Sequence, residues 1–111
     1  MPKNPETLPD PDRIIHERAR LRILVYLASE GPGESGFTDI KASLGMTAGN
    51  LSAQLATLEA AGYVRLMKGY SGKKPYTGVS LSLKGERALE RYLDEMEQLL
   101  KTLKESAKRR G

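Results

Sequence analysis

The sequence predicts a mainly α-helical fold with a small β-hairpin. Apolar residues recur every three or four positions in four separate segments, which is the period of an amphipathic helix. Between residues 63 and 82 the pattern changes to an alternation of apolar and polar side chains around a Gly- and Lys-rich turn. The chain has 111 residues, of which 39% are apolar, and this is enough for one domain with a modest aliphatic core.

The composition excludes several classes of function. The chain has no cysteine and a single histidine, His16, so it offers neither a thiolate metal site nor a histidine cluster. We therefore expect no enzyme activity, no metal and no cofactor. The longest apolar run, residues 23–28, is six residues long, and the N-terminus lacks the apolar region of a signal peptide. These features predict a soluble, cytoplasmic protein without membrane contact.

The N-terminal third is predicted to contain a proline-rich arm followed by a helix. Prolines are concentrated at the start of the chain, so residues 1–9 are expected to be flexible. Asp10 is expected to cap a helix with Pro11 at its first position, and this helix stops at Gly31. We place His16 on the outer face of the helix, without a role. The apolar positions of the helix are Ile14, Ile15, Leu21, Leu24, Val25 and Ala28.

Two further helices are predicted in close succession. The first is expected to start at a Thr38 cap, just after a buried Phe37 and a minimal strand, and to end with Gly45 as a left-handed cap. Thr47 is expected to cap the second helix, which ends at Gly62. The buried stripe of the second helix is formed by Leu51, Leu55 and Leu58.

A hairpin follows the second of these helices. A strand is expected to begin at Tyr63, to turn at residues 69–75, where Gly69 and Gly72 permit positive φ, and to return to Ser82. Ser82 is expected to cap the last helix. The order of helix, turn, helix and basic hairpin is that of a winged helix-turn-helix.

The last helix, residues 83–107, carries more apolar surface than a three-helix core can cover. Its apolar residues alternate in spacings of three and four, which is the a/d seam of a coiled coil. We expect this stripe to pack on the N-terminal helix and also on a second subunit, giving a homodimer. Residues 10–82 are thus assigned to the winged-helix domain, and residues 83–111 to a dimerisation helix with a frayed basic tail at residues 108–110. The expected dimer residues are Ile14, Ile15, Leu89, Tyr92, Leu93, Met96, Leu99, Leu100 and Leu103.

The charge distribution predicts contact with double-stranded DNA. The net charge is +4, and residues 60–85 contain no acidic side chain. Asn50 and Gln54 are expected to pair with adenine edges, and the hairpin lysines with phosphates. Gly49 either allows close approach to DNA or is a tolerated first-turn glycine. The expected DNA contacts are Thr47, Ala48, Gly49, Asn50, Ser52, Ala53, Gln54, Thr57, Arg65, Lys68, Ser71, Lys73 and Lys74.

Several short motifs follow one another in a fixed order between residues 49 and 85. They are Gly49-Asn50-Leu51-Ser52, Leu58-Glu59, Ala61-Gly62-Tyr63-Val64, Lys68, Gly72-Lys73-Lys74-Pro75, Thr77, Leu81-Ser82 and Gly85. Through this set, the chain resembles small winged-helix transcriptional regulators of the broad MarR/ArsR type, over about residues 13–100. The resemblance implies a dimer held by terminal helices, with residues 47–57 in the major groove and residues 71–75 along the DNA backbone.

The chain also departs from the pattern of these regulators. Members often carry a histidine and basic residues where this chain has Gln54, Ala56 and Thr57, so the outward face of its recognition helix is uncharged. We therefore expect operator preferences that differ from those of its relatives. The absence of cysteine argues against the metal-sensing mechanism of some ArsR-type proteins, and the identity of any small-molecule effector stays open.

Two other functions are compatible with the sequence. Winged helices also serve as protein–protein interaction modules, and the uncharged recognition helix favours that alternative. Single-stranded or RNA binding requires exposed aromatic side chains, which Tyr70 and Tyr76 would supply beside the turn. The main expectation is a homodimeric transcriptional regulator that binds an inverted-repeat operator.

Overall fold

The computed structural model describes residues 8–110 of the protein. It confirms the predicted fold class, a mainly α fold with a small hairpin. The elements are α1 (Arg18–Glu30), β1 (Ser35–Gly36), α2 (Phe37–Leu44), α3 (Ala48–Ala60), β2 (Val64–Ser71), β3 (Lys74–Leu81) and α4 (Leu83–Arg110). The strands form one antiparallel sheet in the order β1-β3-β2. Most of the predicted flexible arm, residues 1–7, lies outside the described residues.

A single apolar core joins the three short helices, the inner face of the sheet and the first turns of α4. The predicted stripe of α3 is confirmed, because Leu51, Leu55 and Leu58 are all completely or almost completely buried. Phe37 is only half-buried, where the sequence predicted a buried anchor. No described helix is long and apolar enough to cross a membrane.

The start of α1 differs from the prediction of an Asp10 cap. The helix begins at Arg18, and Glu17 caps it by accepting a hydrogen bond from the Arg20 amide at 2.9 Å. The carboxylate of Asp12 instead accepts bonds from the amides of two residues that follow it, Ile14 and Ile15, at 2.8 and 3.3 Å. These two side-chain bonds stabilise a separate turn before the helix. An aspartate favours such a turn because its carboxylate bonds to nearby backbone amides in a non-helical conformation. Ile15 is fully buried in that turn.

The helix-turn-helix unit is capped as predicted at the end of α2 and at the start of α3. Gly45 adopts the left-handed conformation, with φ 63° and ψ 39°, at the end of α2. Thr47 caps α3 by accepting a hydrogen bond from the Asn50 amide at 3.1 Å. The predicted Thr38 cap of α2 is wrong, since Gly36 is the N-cap and forms no side-chain bond. Gly36 is the last residue of β1 and pairs with Gly78 of β3. The helix α2 therefore starts directly where the predicted minimal strand ends.

The hairpin turns tightly at its tip. Ser71 lies opposite Lys74, which leaves a two-residue turn, and Gly72 at its first position has φ 65°, as in a type II′ turn. Of the two glycines that permit positive φ, only Gly72 adopts it, because Gly69 continues β2. Pro75 is tolerated in β3 because β1 pairs only with residues 78 and 79, so no strand lies beside the proline on that side.

The last helix is anchored by its predicted cap. Ser82 accepts a hydrogen bond from the Gly85 amide at 2.9 Å and donates one to the Gly62 carbonyl at 2.5 Å. A Cβ on Gly85 would lie 2.1 Å from the carbonyl oxygen of Tyr63, so only glycine allows α4 to pass this close to the sheet. The helix continues to Arg110, and residues 108–110, which the sequence predicted as a frayed and solvated end, are helical and exposed. At 28 residues, α4 is about 42 Å long.

The hydroxyl of Tyr63 ties the sheet to the N-terminal turn by donating a hydrogen bond to the carboxylate of Asp12. Burial is the largest cause that raises the pKa of Tyr63 to about 12, followed by this hydrogen bond and the negative charge of Asp12. The pKa of an unfolded tyrosine is about 10. The stabilisation is therefore fully present below about pH 10 and is lost as the pH rises to about 12.

We expect Tyr63→Phe to lower the free energy of unfolding by about 1–2 kcal/mol near neutral pH, because a hydrogen bond to a carboxylate is lost. The difference between wild type and variant should shrink between about pH 10 and pH 12, as the wild-type phenol ionises. Denaturant unfolding of both proteins at several pH values across this range measures the difference in the free energy of unfolding. Tyr70→Phe is the control, because Tyr70 is 77% exposed and its change should have almost no effect. A difference that is independent of pH would contradict this explanation.

Candidate nucleic-acid interface

The first two turns of α3 present one continuous outward face. The buried leucines on the opposite side fix how the helix is rotated about its axis. The exposed predicted contacts are Thr47, Ala48, Gly49, Asn50, Ser52 and Ala53. Gln54 and Thr57 are half-buried, and the Thr57 hydroxyl donates back to the Ala53 carbonyl at 3.3 Å. Six of the eight side-chain positions predicted on this helix and its cap therefore meet on one accessible surface.

Gln54 is engaged within the chain by a residue that the sequence analysis missed. Nη1 of Arg20, on α1, donates a hydrogen bond to Oε1 of Gln54 at 2.8 Å. Nε2 of Gln54 in turn donates to Oδ1 of Asn50 at 3.3 Å. The sequence contains a signal for this role of Arg20. Arg20 lies three positions before Ile23 and four before Leu24, which are both buried, so it shares the apolar face of α1 with them. A charge on the apolar face of a helix requires a partner.

Two more arginines of α1 lie near the N-terminus of α3. Arg18 and Arg22 are one helical turn apart and line a shallow groove with Thr47 and Asn50. Arg22 also donates to the carbonyl of Leu44, the last residue of α2, at 3.3 Å. The outward face of the first turns of α3 carries no charged side chain, as the sequence indicated, and the one charged residue of α3 is Glu59 near its C-terminal end. The tertiary fold nevertheless brings two arginines of α1 to the N-terminal end of α3, together with the acidic Glu17 that lines the same groove.

The wing, defined as residues 68–75 at the tip of the hairpin, is almost completely open to solvent. Ser71, Lys73 and Lys74 are exposed around the two-residue turn. Arg65 and Lys68 are exposed in β2, but they lie three positions apart along the strand, so they point to opposite faces of it. The two side chains therefore do not share one face of the hairpin, whereas the sequence predicted that both could extend the basic stripe. The positive charge is concentrated at the tip.

The predicted dimer residues fall into three groups by exposure. Ile15, Leu89 and Tyr92 are buried inside the single chain, so they belong to its core rather than to a surface between subunits. Ile14, Met96 and Leu99 are half-buried. Leu93, Leu100 and Leu103 are at least half exposed on α4.

His16 is exposed, as predicted, yet its ring is not without a partner. Its Nδ1 atom lies 2.7 Å from the hydroxyl of Tyr92, which joins the N-terminal turn to α4. Among residues 8–110, no group of three or more histidine or acidic side chains is arranged to hold a metal ion.

Residues 19–100 match the family described as the winged helix DNA-binding domain. The chain belongs to this family. The match covers α1, the helix-turn-helix unit, the hairpin and more than half of α4, so it includes every element of the interface above. The protein is thus a winged-helix DNA-binding protein, and the expectation that it is not an enzyme agrees with the family.

Solved winged-helix structures share the fold along most of the chain. The transcriptional regulator homologue from Pyrococcus horikoshii OT3 has a TM-score of 0.76 at 26% identity, covering 83% of this chain and 89% of that one. The MarR-like transcriptional regulator from Thermotoga maritima has a TM-score of 0.61 at 26% identity, covering 90% and 70%. These likenesses agree with the resemblance seen in the motifs. No curated protein matches the sequence.

The fold is also shared with a structure that contains DNA. PadR from Bacillus subtilis, in complex with operator DNA, has a TM-score of 0.53 at 21% identity, over 66% of this chain and 47% of that one. At this identity the likeness shows the fold alone.

Proposed function

We propose that the protein is a homodimeric transcriptional regulator that binds an inverted-repeat operator. In this proposal α3 enters the major groove, and the wing follows the flanking phosphates. The observation that carries the proposal is the combination of an accessible polar face on α3 with a lysine-rich hairpin tip in a segment that has no acidic residue. The solved relatives described as transcriptional regulators support the regulatory role.

The contacts of each element with DNA follow from its chemistry. Asn50 is exposed in the first turn of α3, the part of a recognition helix that reaches base edges. Arg18 and Arg22 supply positive charge beside that turn, where phosphates flank the groove. Lys73 and Lys74 bind phosphates without reading sequence. A Cβ at Gly49 would meet no described atom within 4 Å, so packing within the chain does not require glycine there. Close approach of DNA would explain it.

The second subunit is inferred from the uncovered part of α4. The residues of α4 that are buried end at Tyr92, whereas the helix continues for about 27 Å beyond it. Leu93, Leu100 and Leu103 are 50%, 51% and 65% exposed along that part. Because these leucines continue the same stripe that packs on the core, a second copy of α4 would cover them. A two-fold axis near α4 would present two copies of α3 to half-sites about 10 base pairs apart.

Selection of duplexes from a random library by the purified full chain tests the proposal. We expect an enriched inverted repeat, with half-sites about one helical turn apart. A folded protein that enriches no duplex sequence would contradict the proposal and would favour the role of a protein-interaction module.

We expect Asn50→Ala to weaken binding by about 1–3 kcal/mol at particular base pairs of the selected operator and to leave the others unchanged. The reason is that Asn50 reaches base edges rather than phosphates. The measurement is the affinity of wild type and variant for operators with single base-pair changes. Changes outside the half-sites are the control, and both proteins should respond to them alike. An equal loss on every duplex would remove Asn50 from base reading.

A further inference from the structure

Acidic and basic side chains are separated along one edge of the leucine stripe on α4. The edge consists of four exposed residues, Glu90, Glu97, Lys104 and Lys108. Each glutamate lies three positions before a half-exposed leucine, and Lys104 lies four positions after Leu100, so they are neighbours of the stripe on the helix surface. Glu97, Lys104 and Lys108 also line one shallow groove with Leu100. The N-terminal half of this edge is thus negative, and its C-terminal half is positive.

This separation of charge is unfavourable within a single helix. Glu86 lies one turn before Glu90, and Lys108 lies one turn after Lys104, so like charges are neighbours at both ends of the edge. A second helix offsets the repulsion only if it brings the opposite charge. In a parallel pair each residue lies beside its own copy, so glutamates would meet glutamates. In an antiparallel pair the negative half of one helix lies beside the positive half of the other.

Charges that flank an apolar seam determine the orientation of paired helices, although each exposed pair contributes little to stability. We propose that two copies of α4 pair antiparallel and cross near Leu100. Glu97 of each subunit then lies beside Lys104 of the other, and Glu90 lies beside Lys108. Both pairings place the crossing within about one residue of Leu100, whose exposed side chain belongs to the apolar stripe. The inference rests on the proposed function, since it requires the homodimer.

The antiparallel orientation also gives the spacing between the two DNA-binding lobes. The buried residues of α4, which anchor it to its own lobe, extend from Gly85 to Tyr92. Their midpoint, near Ala88, lies about 18 Å along the helix from Leu100. The two anchors of an antiparallel pair are therefore about 36 Å apart, which matches half-sites one helical turn apart. A parallel pair would hold the anchors side by side, at the interaxial distance of about 8–10 Å.

Cysteine cross-linking of the full chain tests the orientation, because the chain has no cysteine of its own. Leu93 and Ala107 are exposed and lie seven positions before and after Leu100, so all three share one face of α4. Under mild oxidation, we expect a mixture of Leu93→Cys and Ala107→Cys chains to form a mixed disulfide after the subunits have exchanged. Leu93→Cys alone should form none, since its two copies would lie about 21 Å apart and a disulfide joins Cα atoms about 4–7 Å apart.

Asp94→Cys mixed with Glu105→Cys is the matched control. These exposed positions lie about 120° and 140° around the helix from Leu100, so they should form no mixed disulfide. Thermal unfolding shows that each variant is folded. A disulfide between two Leu93→Cys chains, or absence of the mixed disulfide in a folded dimer, overturns the antiparallel arrangement and leaves the proposed function standing. A folded wild type that sediments as a monomer overturns both proposals. A mixed disulfide in a chain that selects no duplex supports the antiparallel pair and overturns only the DNA-binding proposal.

Discussion

Replacing Lys73 and Lys74 by alanine will weaken binding to every duplex by a similar factor, on the order of 100-fold at about 0.1 M salt. Both side chains are exposed at the tip of the hairpin, where the tight turn fixes their position. They contact phosphates in the proposed complex, so they contribute charge and not sequence preference. A dimer would lose up to four such contacts, and the slope of log affinity on log salt should become less steep by about 3 to 4.

The matched control for the wing is Lys108→Ala with Arg109→Ala. This variant removes the same charge from the last turn of α4, outside the proposed DNA surface. Its affinity and salt slope should remain close to those of wild type. Titration of the selected operator and of unrelated duplexes at several salt concentrations separates the two variants. Equal losses of affinity in the two variants would show that binding depends on the net charge of the protein and not on the lysines of the wing.

Introducing glutamate at Leu100 and Leu103 will convert the proposed dimer to a monomer and reduce operator affinity by about 100-fold or more. Both leucines are at least half exposed, so the fold of the single chain does not depend on them. Two adjacent charges cannot be buried between apolar helices without partners. A monomer engages one half-site only and loses the gain that comes from linking two binding events. Sedimentation measures the mass, and titration of the operator measures the affinity.

Lys101→Glu is the control for this change. It alters the net charge by the same amount, and its exposed side chain lies about 100° around the helix from Leu100 and about 160° from Leu103. We expect this variant to remain dimeric and to bind the operator. A wild-type protein that sediments as a monomer at micromolar concentration would contradict the proposed interface, as would a double variant that remains dimeric.

The parts of the fold that the sequence predicted correctly depend on local chemistry. The threonine cap of α3, the left-handed glycine after α2 and the glycine in the hairpin turn each act within a few residues of themselves. The leucines of α3 follow the helical period, so the outward face could be derived by geometry. These local features are enough to place most of the candidate DNA surface on one side of α3 and at the hairpin tip.

The parts that the sequence did not predict depend on contacts between distant residues. The bond between Arg20 and Gln54 joins residues 34 positions apart, and its formation depends on how α1 packs on α3. The turn before α1 was missed because Asp12 bonds to local amides and also to Tyr63, which competes with helix formation. The core role of Tyr92 and Leu89 could not be separated from dimerisation, because one a/d pattern serves both kinds of packing.

The most direct test of the account is the salt dependence and stoichiometry of wild-type binding to the selected operator. Lys73, Lys74, Arg18 and Arg22 of two subunits would make up to eight phosphate contacts, which predict a slope of log affinity on log salt of up to about −7. The account also predicts two protein chains per duplex. Binding that does not change with salt would contradict the wing and arginine contacts with phosphate. A complex with one chain per duplex would contradict the homodimer on which the inverted-repeat operator depends.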